Sequence, residues 1–205
     1  MVKLMETNKN KAFTKDQIDK IGNSIIYLSQ TLSDLNKTKI LKLLFLLEEA
    51  SIKKYGTPFF NIDFQLWKHG PVAKDIYIDL CEESPNLLDE YIKRDTQNAS
   101  NFVAKRSFSD DQFSDNDIEI MDKVVAFAKQ KNATYLVNHT HDHNSLWRKS
   151  AIKHGILELL EKELVNSTDL EIDFNLLFDN AELSYLRERY EEAKDNRAFI
   201  RQLKK

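Results

Sequence analysis

The feature that most restricts how this chain can fold is the run 40–47, Ile40-Leu41-Lys42-Leu43-Leu44-Phe45-Leu46-Leu47, followed by Glu48 and Glu49. A helix that is apolar almost all round has no broad face to give to water, so it belongs at the centre with other elements packed about it. Gly56 and Pro58 then stop it, as expected for the residues just past a helix C-terminus.

The neighbours of this central helix read from their own periods. Ile18, Ile21, Ile25, Leu28 and Leu32 recur at steps of three and four behind a capping box of Thr14 and Gln17, which predicts an amphipathic helix over 15–34. Ile62, Phe64 and Leu66 alternate with Asp63, Gln65 and Trp67, the pattern of a strand with one buried face. His69-Gly70-Pro71 ends that strand, with Pro71 placed in the first turn of a helix carrying Val72, Ile76 and Leu80. Residues 81–101 read as a polar connection interrupted by a short apolar piece at 87–92. Phe102, Ala104, Arg106 and Phe108 alternate with Val103, Lys105 and Ser107, predicting a second short strand paired with 60–68. A second capping box, Ser114 with Asp117, opens a helix carrying Ile118, Met121, Val125 and Ala128. Shorter helices are expected at 134–142 and 145–165. Leu183, Leu186, Tyr190, Ala193 and Ile200 then form one stripe on a long final helix.

The fold class is therefore mainly α (α+β): a compact multi-helix domain with a small two- or three-stranded antiparallel sheet and a long C-terminal helix. An N-terminal arm at 1–14, a main domain at 15–165 and an extension at 166–205 divide the chain. Its 205 residues suit one domain with an appendage, and four Gly and three Pro disfavour a loop-dominated one. The formal charge of −3 gives no global positive field to draw the molecule onto nucleic acid. Lys3, Lys9, Lys11 and Lys15 and the basic residues of the last helix are local, and Glu188, Glu191, Glu192 and Asp195 interrupt the latter, so no nucleic-acid partner is expected. Residues 79–122 hold far more acids than bases, a surface that would steer a basic partner. A single cysteine, Cys81, admits no internal disulfide and fits a reducing compartment; it reads as a small buried residue. The first residues lack a leader-like apolar stretch, and the longest unbroken apolar run, 43–47, is far short of the roughly 20 residues that span a bilayer. A cytoplasmic location without membrane contact is expected.

Three pieces in this order resemble one known family: Lys39-Ile40-Leu41-Lys42-Leu43-Leu44-Phe45-Leu46-Leu47 with Tyr55-Gly56; Trp67-Lys68-His69-Gly70-Pro71-Val72 with Ile76-Tyr77; and Thr140-His141 with Trp147-Arg148-Lys149. They are similar to the Panacea antitoxin domain, also called SocA-like, over roughly 21–152, with Leu146 standing where the family's usual pattern has Pro before the second Trp. The resemblance implies the antitoxin half of a toxin–antitoxin pair of bacterial or phage origin, encoded beside a toxin that it neutralises by protein–protein contact, with no catalysis and no cofactor. Toxins paired with this family are unrelated to one another, so the resemblance does not identify the partner. One relative acts instead as an adaptor that delivers its toxin to a protease.

Some residues invite chemical readings of their own. Trp67 beside a rigid turn offers a large contact area at small entropic cost, which makes Trp67, Lys68, His69, Tyr77 and Trp147 candidates for partner contact. Leu186 and Tyr190 on the final helix join them, because partner-specific recognition must vary outside the family-like centre. His139, His141, Asp142 and His143 form the one cluster with metal-ligand chemistry and supply the rival reading, a metal-dependent hydrolase. On a helix His139 and His143 share a face while His141 points elsewhere, so His141 is expected to be hydrogen-bonded within the fold and the other two exposed. Asp115, Asp117 and Glu119 resemble a calcium loop only superficially, since Ile120 stands where such a loop needs Gly.

Overall fold

The apolar run lies inside α2 (Lys37–Tyr55), whose residues from Lys39 to Glu48 are all buried. Asn36 caps its start by accepting from the Lys39 N–H, and Gly56 ends it in the left-handed region at φ 68°. A Cβ on Gly56 would lie 2.5 Å from the Leu186 carbonyl oxygen, so a glycine is needed there for packing as well as for the angle. The computed structural model describes residues 13–178 and 183–203 of the chain. Most of the expected arm 1–14, with Lys3, Lys9 and Lys11, lies outside those residues, as do Lys204 and Lys205.

Among the described residues the protein is mainly helical, with eight α-helices and two separate two-stranded antiparallel sheets. Helix α1 (Lys15–Thr31) forms behind the expected Thr14–Gln17 capping box and buries Ile21, Ile25 and Leu28. The Gln17 amide also donates to the Phe60 and Asn61 carbonyl oxygens, tying this end to the loop after α2. Helix α4 (Asp115–Ala128) begins at the Ser114–Asp117 box, and α2 packs against both α4 and α5 (Ala133–Thr140). The region expected as one helix at 145–165 is two, α6 (Leu146–Lys153) and α7 (Leu157–Glu161), separated where Gly155 takes φ 69°.

Both strand expectations require correction. Strand β1 (Gln65–Trp67) pairs with β2 (Gly70–Val72) in a tight hairpin, in the register Leu66 opposite Pro71, so Pro71 sits in a strand and α3 begins only at Lys74 (Lys74–Asp79). Proline is tolerated because this is a non-hydrogen-bonded pair: the Leu66 N–H points away from β2 to the Leu170 carbonyl. The outer edge of β1 is thereby covered by the segment 166–172, through Lys68 N–H to Asn166 O, Leu66 N–H to Leu170 O and Ile172 N–H to Phe64 O. Strand β4 (Phe102–Ala104) pairs with β3 (Ile92–Arg94) rather than with 60–68. The polar residues between them make turns of their own, Asp95 accepting from Gln97 N–H and Asn98 from Ser100 N–H. Upstream, the buried Asp79 carboxylate accepts from the N–H groups of Asn86, Leu87 and Leu88 and fixes the connection.

Helix α8 (Ser184–Leu203) closes the fold. Leu186 and Tyr190 are buried against the chain's own core, with Tyr190 near Phe174 and Phe178. Arg197 pairs with Asp63, while Phe199 and Ile200 face solvent. No helix among the described residues is long and apolar enough to cross a membrane.

Candidate functional site

The family-like residues, dispersed over a hundred positions, meet at one place: the β1–β2 hairpin, seated on α2 and enclosed by α5 and α6. Lys42 reaches this place from the middle of α2 and is 1% exposed. Its ammonium nitrogen donates to the Pro71 carbonyl at 2.9 Å, and burial pushes its pKa down to about 7. Gly70 lies directly over it at φ 97°. A Cβ there would fall 2.8 Å from Thr140 Oγ1 and 2.9 Å from Lys42 Nζ, so the turn requires glycine for both angle and space. Thr140 is itself buried and donates back to the Val137 carbonyl.

Trp147 closes the far side. Its indole N–H donates to the Trp67 carbonyl at 3.0 Å, holding the hairpin to α6, and its ring lies 4.1 Å from that of His141 at an interplanar angle of 23°. His141 Nε2 is buried with no hydrogen-bond partner, so this histidine is held by stacking and not by the hydrogen bond expected of it. Burial first, then the positive charges of Lys42, His69 and Arg148, push its pKa down to about 4, leaving a neutral ring at physiological pH. The lysine signal was available in the sequence as the lone charge inside 40–47, but it reads there as a break in an apolar pattern and not as a buried donor.

Of the candidate contact residues, Trp147, Leu186 and Tyr190 are buried in the chain's own core. Trp67 is half-buried: its indole N–H is shared between Gln65 Oε1 and the Thr168 carbonyl, and its ring meets Tyr77 edge-on at 4.9 Å. Lys37 Nζ stands 4.5 Å over Tyr77 and 3.0 Å from the thiol of Cys81, which is exposed and not buried as its sequence context predicts. Lys68 pairs with Glu163 at 2.9 Å and holds that carboxyl below the usual range, while His69 at the hairpin tip is exposed. Lys68, His69, Trp67 and Tyr77 therefore form the outward part of the site.

The histidine cluster is dispersed. His141 turns inward to Trp147, whereas His139 packs 4.9 Å from Phe127 and stacks over Tyr135, and Asp142 and His143 are exposed. Among the described residues no group of three or more His, Cys, Asp or Glu is placed to hold a metal ion. What the arrangement does chemically is to present the hairpin tip, with Lys68 and His69, on a base in which Lys42, Thr140 and Trp147 are enclosed.

No curated protein and no solved structure matches the chain. The model of the family described as antitoxin SocA-like, Panacea domain, does match, over residues 40–148, the stretch from the core of α2 through the hairpin to α6, and the chain belongs to that family.

Proposed function

We propose that this protein is the antitoxin of a toxin–antitoxin pair and neutralises a cognate toxin, encoded by an adjacent gene, by direct protein–protein binding in the cytoplasm without catalysis. Family membership supports the reading. The observation that carries it further is the division of labour at the hairpin: Lys42, Gly70, Thr140, His141 and Trp147 are spent on holding one another, whereas Lys68, His69 and parts of Trp67 and Tyr77 remain at the surface. A rigid, partly aromatic projection loses little entropy on docking, which suits recognition more than turnover. Trp147 supports this surface from beneath through its bond to the Trp67 carbonyl, whereas Leu186 and Tyr190 belong to the core.

The test is coexpression with the product of the neighbouring gene. Rescue of growth together with copurification of the two proteins is the expected result. Rescue without a complex, or only in cells that hold a particular protease, would replace masking with an adaptor route. A toxic neighbour that remains toxic would remove the antitoxin reading itself.

A further inference from the structure

Residues of α2, α4 and α5 line an open groove of about 400 Å³. Phe45, Leu46, Ala50, Val124 and Phe127 line it with apolar surface. Glu49 lines it from α2 and is half-buried. Nothing in the described structure hydrogen-bonds or ion-pairs with that carboxylate. Two lysines line the same groove without touching that carboxylate: Lys53, one turn on, acts on it only at a distance, as does Lys149 outside the groove, and Lys123 is held by Glu119 at 2.7 Å. His139 and Asp142 complete the mouth. Burial raises the Glu49 pKa to about 7, which is the cost of holding a charge in such a place unanswered.

A groove of this size, in which aromatic and aliphatic side chains meet a small set of polar and charged ones, has the composition of a recognition site. Its chemistry also selects the occupant. A half-buried carboxylate beside apolar side chains gains most from a cation that brings its own apolar stem, which is the structure of a lysine or arginine side chain flanked by aliphatic residues. We infer that this groove receives a basic side chain carried on an apolar segment of the toxin, with its charged head on Glu49 and its stem along Phe45, Leu46 and Phe127. This rests on the antitoxin reading and adds a second contact surface to the hairpin.

Benzamidine, a flat amidinium on an aromatic ring, mimics such a side chain and tests the groove without any toxin. Titrated into the isotope-labelled full chain, it is expected to shift backbone amides of α2, α4 and α5, and Glu49→Gln, checked for an unchanged fold by its amide spectrum, should weaken the binding about tenfold or more. Absence of shifts at these helices, or shifts insensitive to Glu49→Gln, overturns the inference. The same variant should then bind the toxin identified by coexpression at least about tenfold more weakly than the wild-type chain. Equal affinity for the toxin overturns the proposed occupant while leaving the antitoxin reading intact. Failure of the wild-type chain to bind or rescue any neighbouring toxin, with benzamidine still bound at Glu49, removes the antitoxin reading, and the toxin as occupant falls with it.

Discussion

Lys42 and Glu49 stand two turns apart on the same helix, and both carry a charge where the surrounding sequence is apolar. Their surroundings differ in one respect. Lys42 is sealed beneath the hairpin and has its acceptor, the Pro71 carbonyl, 2.9 Å away. Glu49 sits in an open groove and has none. The comparison separates two uses of a buried charge: one is spent inside the protein to fix a backbone turn, and the other is held for something outside it. Position along the helix decides between them: seven residues apart, they share one face, but at the level of Lys42 the hairpin covers that face, whereas at Glu49 the groove between α2, α4 and α5 stays open.

The sealed side can be broken at the glycine. Gly70→Val places a branched side chain at φ 97° and drives its Cβ into Thr140 and Lys42, so a loss of about 2 to 4 kcal/mol is expected in urea unfolding. A loss below about 1 kcal/mol would mean that the hairpin lifts easily, and Lys42 would then resemble Glu49 more than the comparison allows.

Titration sharpens the contrast. The Lys42 pKa is depressed in the folded state from 10.5 to about 7, so between these values the unfolded chain binds more protons and stability rises with pH. The slope from this one group approaches about 1.4 kcal/mol per pH unit, and Lys42→Met should flatten it when unfolding midpoints are compared at pH 7, 8 and 9. An unaltered slope would show that the amine is not sealed. For Glu49 the sign reverses. Its folded pKa is raised from 4.5 to about 7, so its contribution is fully present below pH 4.5 and is lost as pH climbs through 7. Glu49→Gln is therefore expected to be more stable than wild type at pH 8, by about 1 kcal/mol, and indistinguishable from it at pH 4. Glu48 and His141 also titrate in this range, but their effects are common to both proteins and cancel in the difference. A variant that is less stable at pH 8 would mean that Glu49 already has a partner within the chain.

Most helices were legible because capping residues and apolar periods act over a few positions: both capping boxes, the Gly56 stop and the stripes of α1 and α4 required no knowledge of the rest of the fold. The strands were less legible. A three-residue strand has too little period to choose its partner. That choice was made by the tightness of the turn after Trp67 and by the distant segment 166–172, which takes the other edge of β1. The break at Gly155 was readable in principle, as glycine after Lys153 and His154 has the form of a helix stop. At the site, Gly70, His141 and Trp147 stood out by residue type. Lys42 and Glu49 did not, because periodicity counts a charge in an apolar helix as an interruption and cannot tell which tertiary neighbour will face it.

The smallest expected stability effect is at the hairpin tip, and it tests whether the outward face of the sealed side takes part in recognition at all. Lys68 is partly exposed and paired with the well-exposed Glu163, a contact worth under about 1 kcal/mol, so Lys68→Glu should leave the melting temperature within a degree or two of wild type. Reversing the charge beside Trp67 should nevertheless weaken toxin binding if the tip is part of the interface. Combined with Glu49→Gln, the two losses of binding free energy should add, because neither Lys68 nor its partner Glu163 lines the groove at Glu49. Strong non-additivity would join the two surfaces into one contact. Unchanged affinity in Lys68→Glu would take the tip out of the interface, confine Lys42 and its hairpin to a structural role, and leave the groove at Glu49 as the surface through which the toxin is recognised.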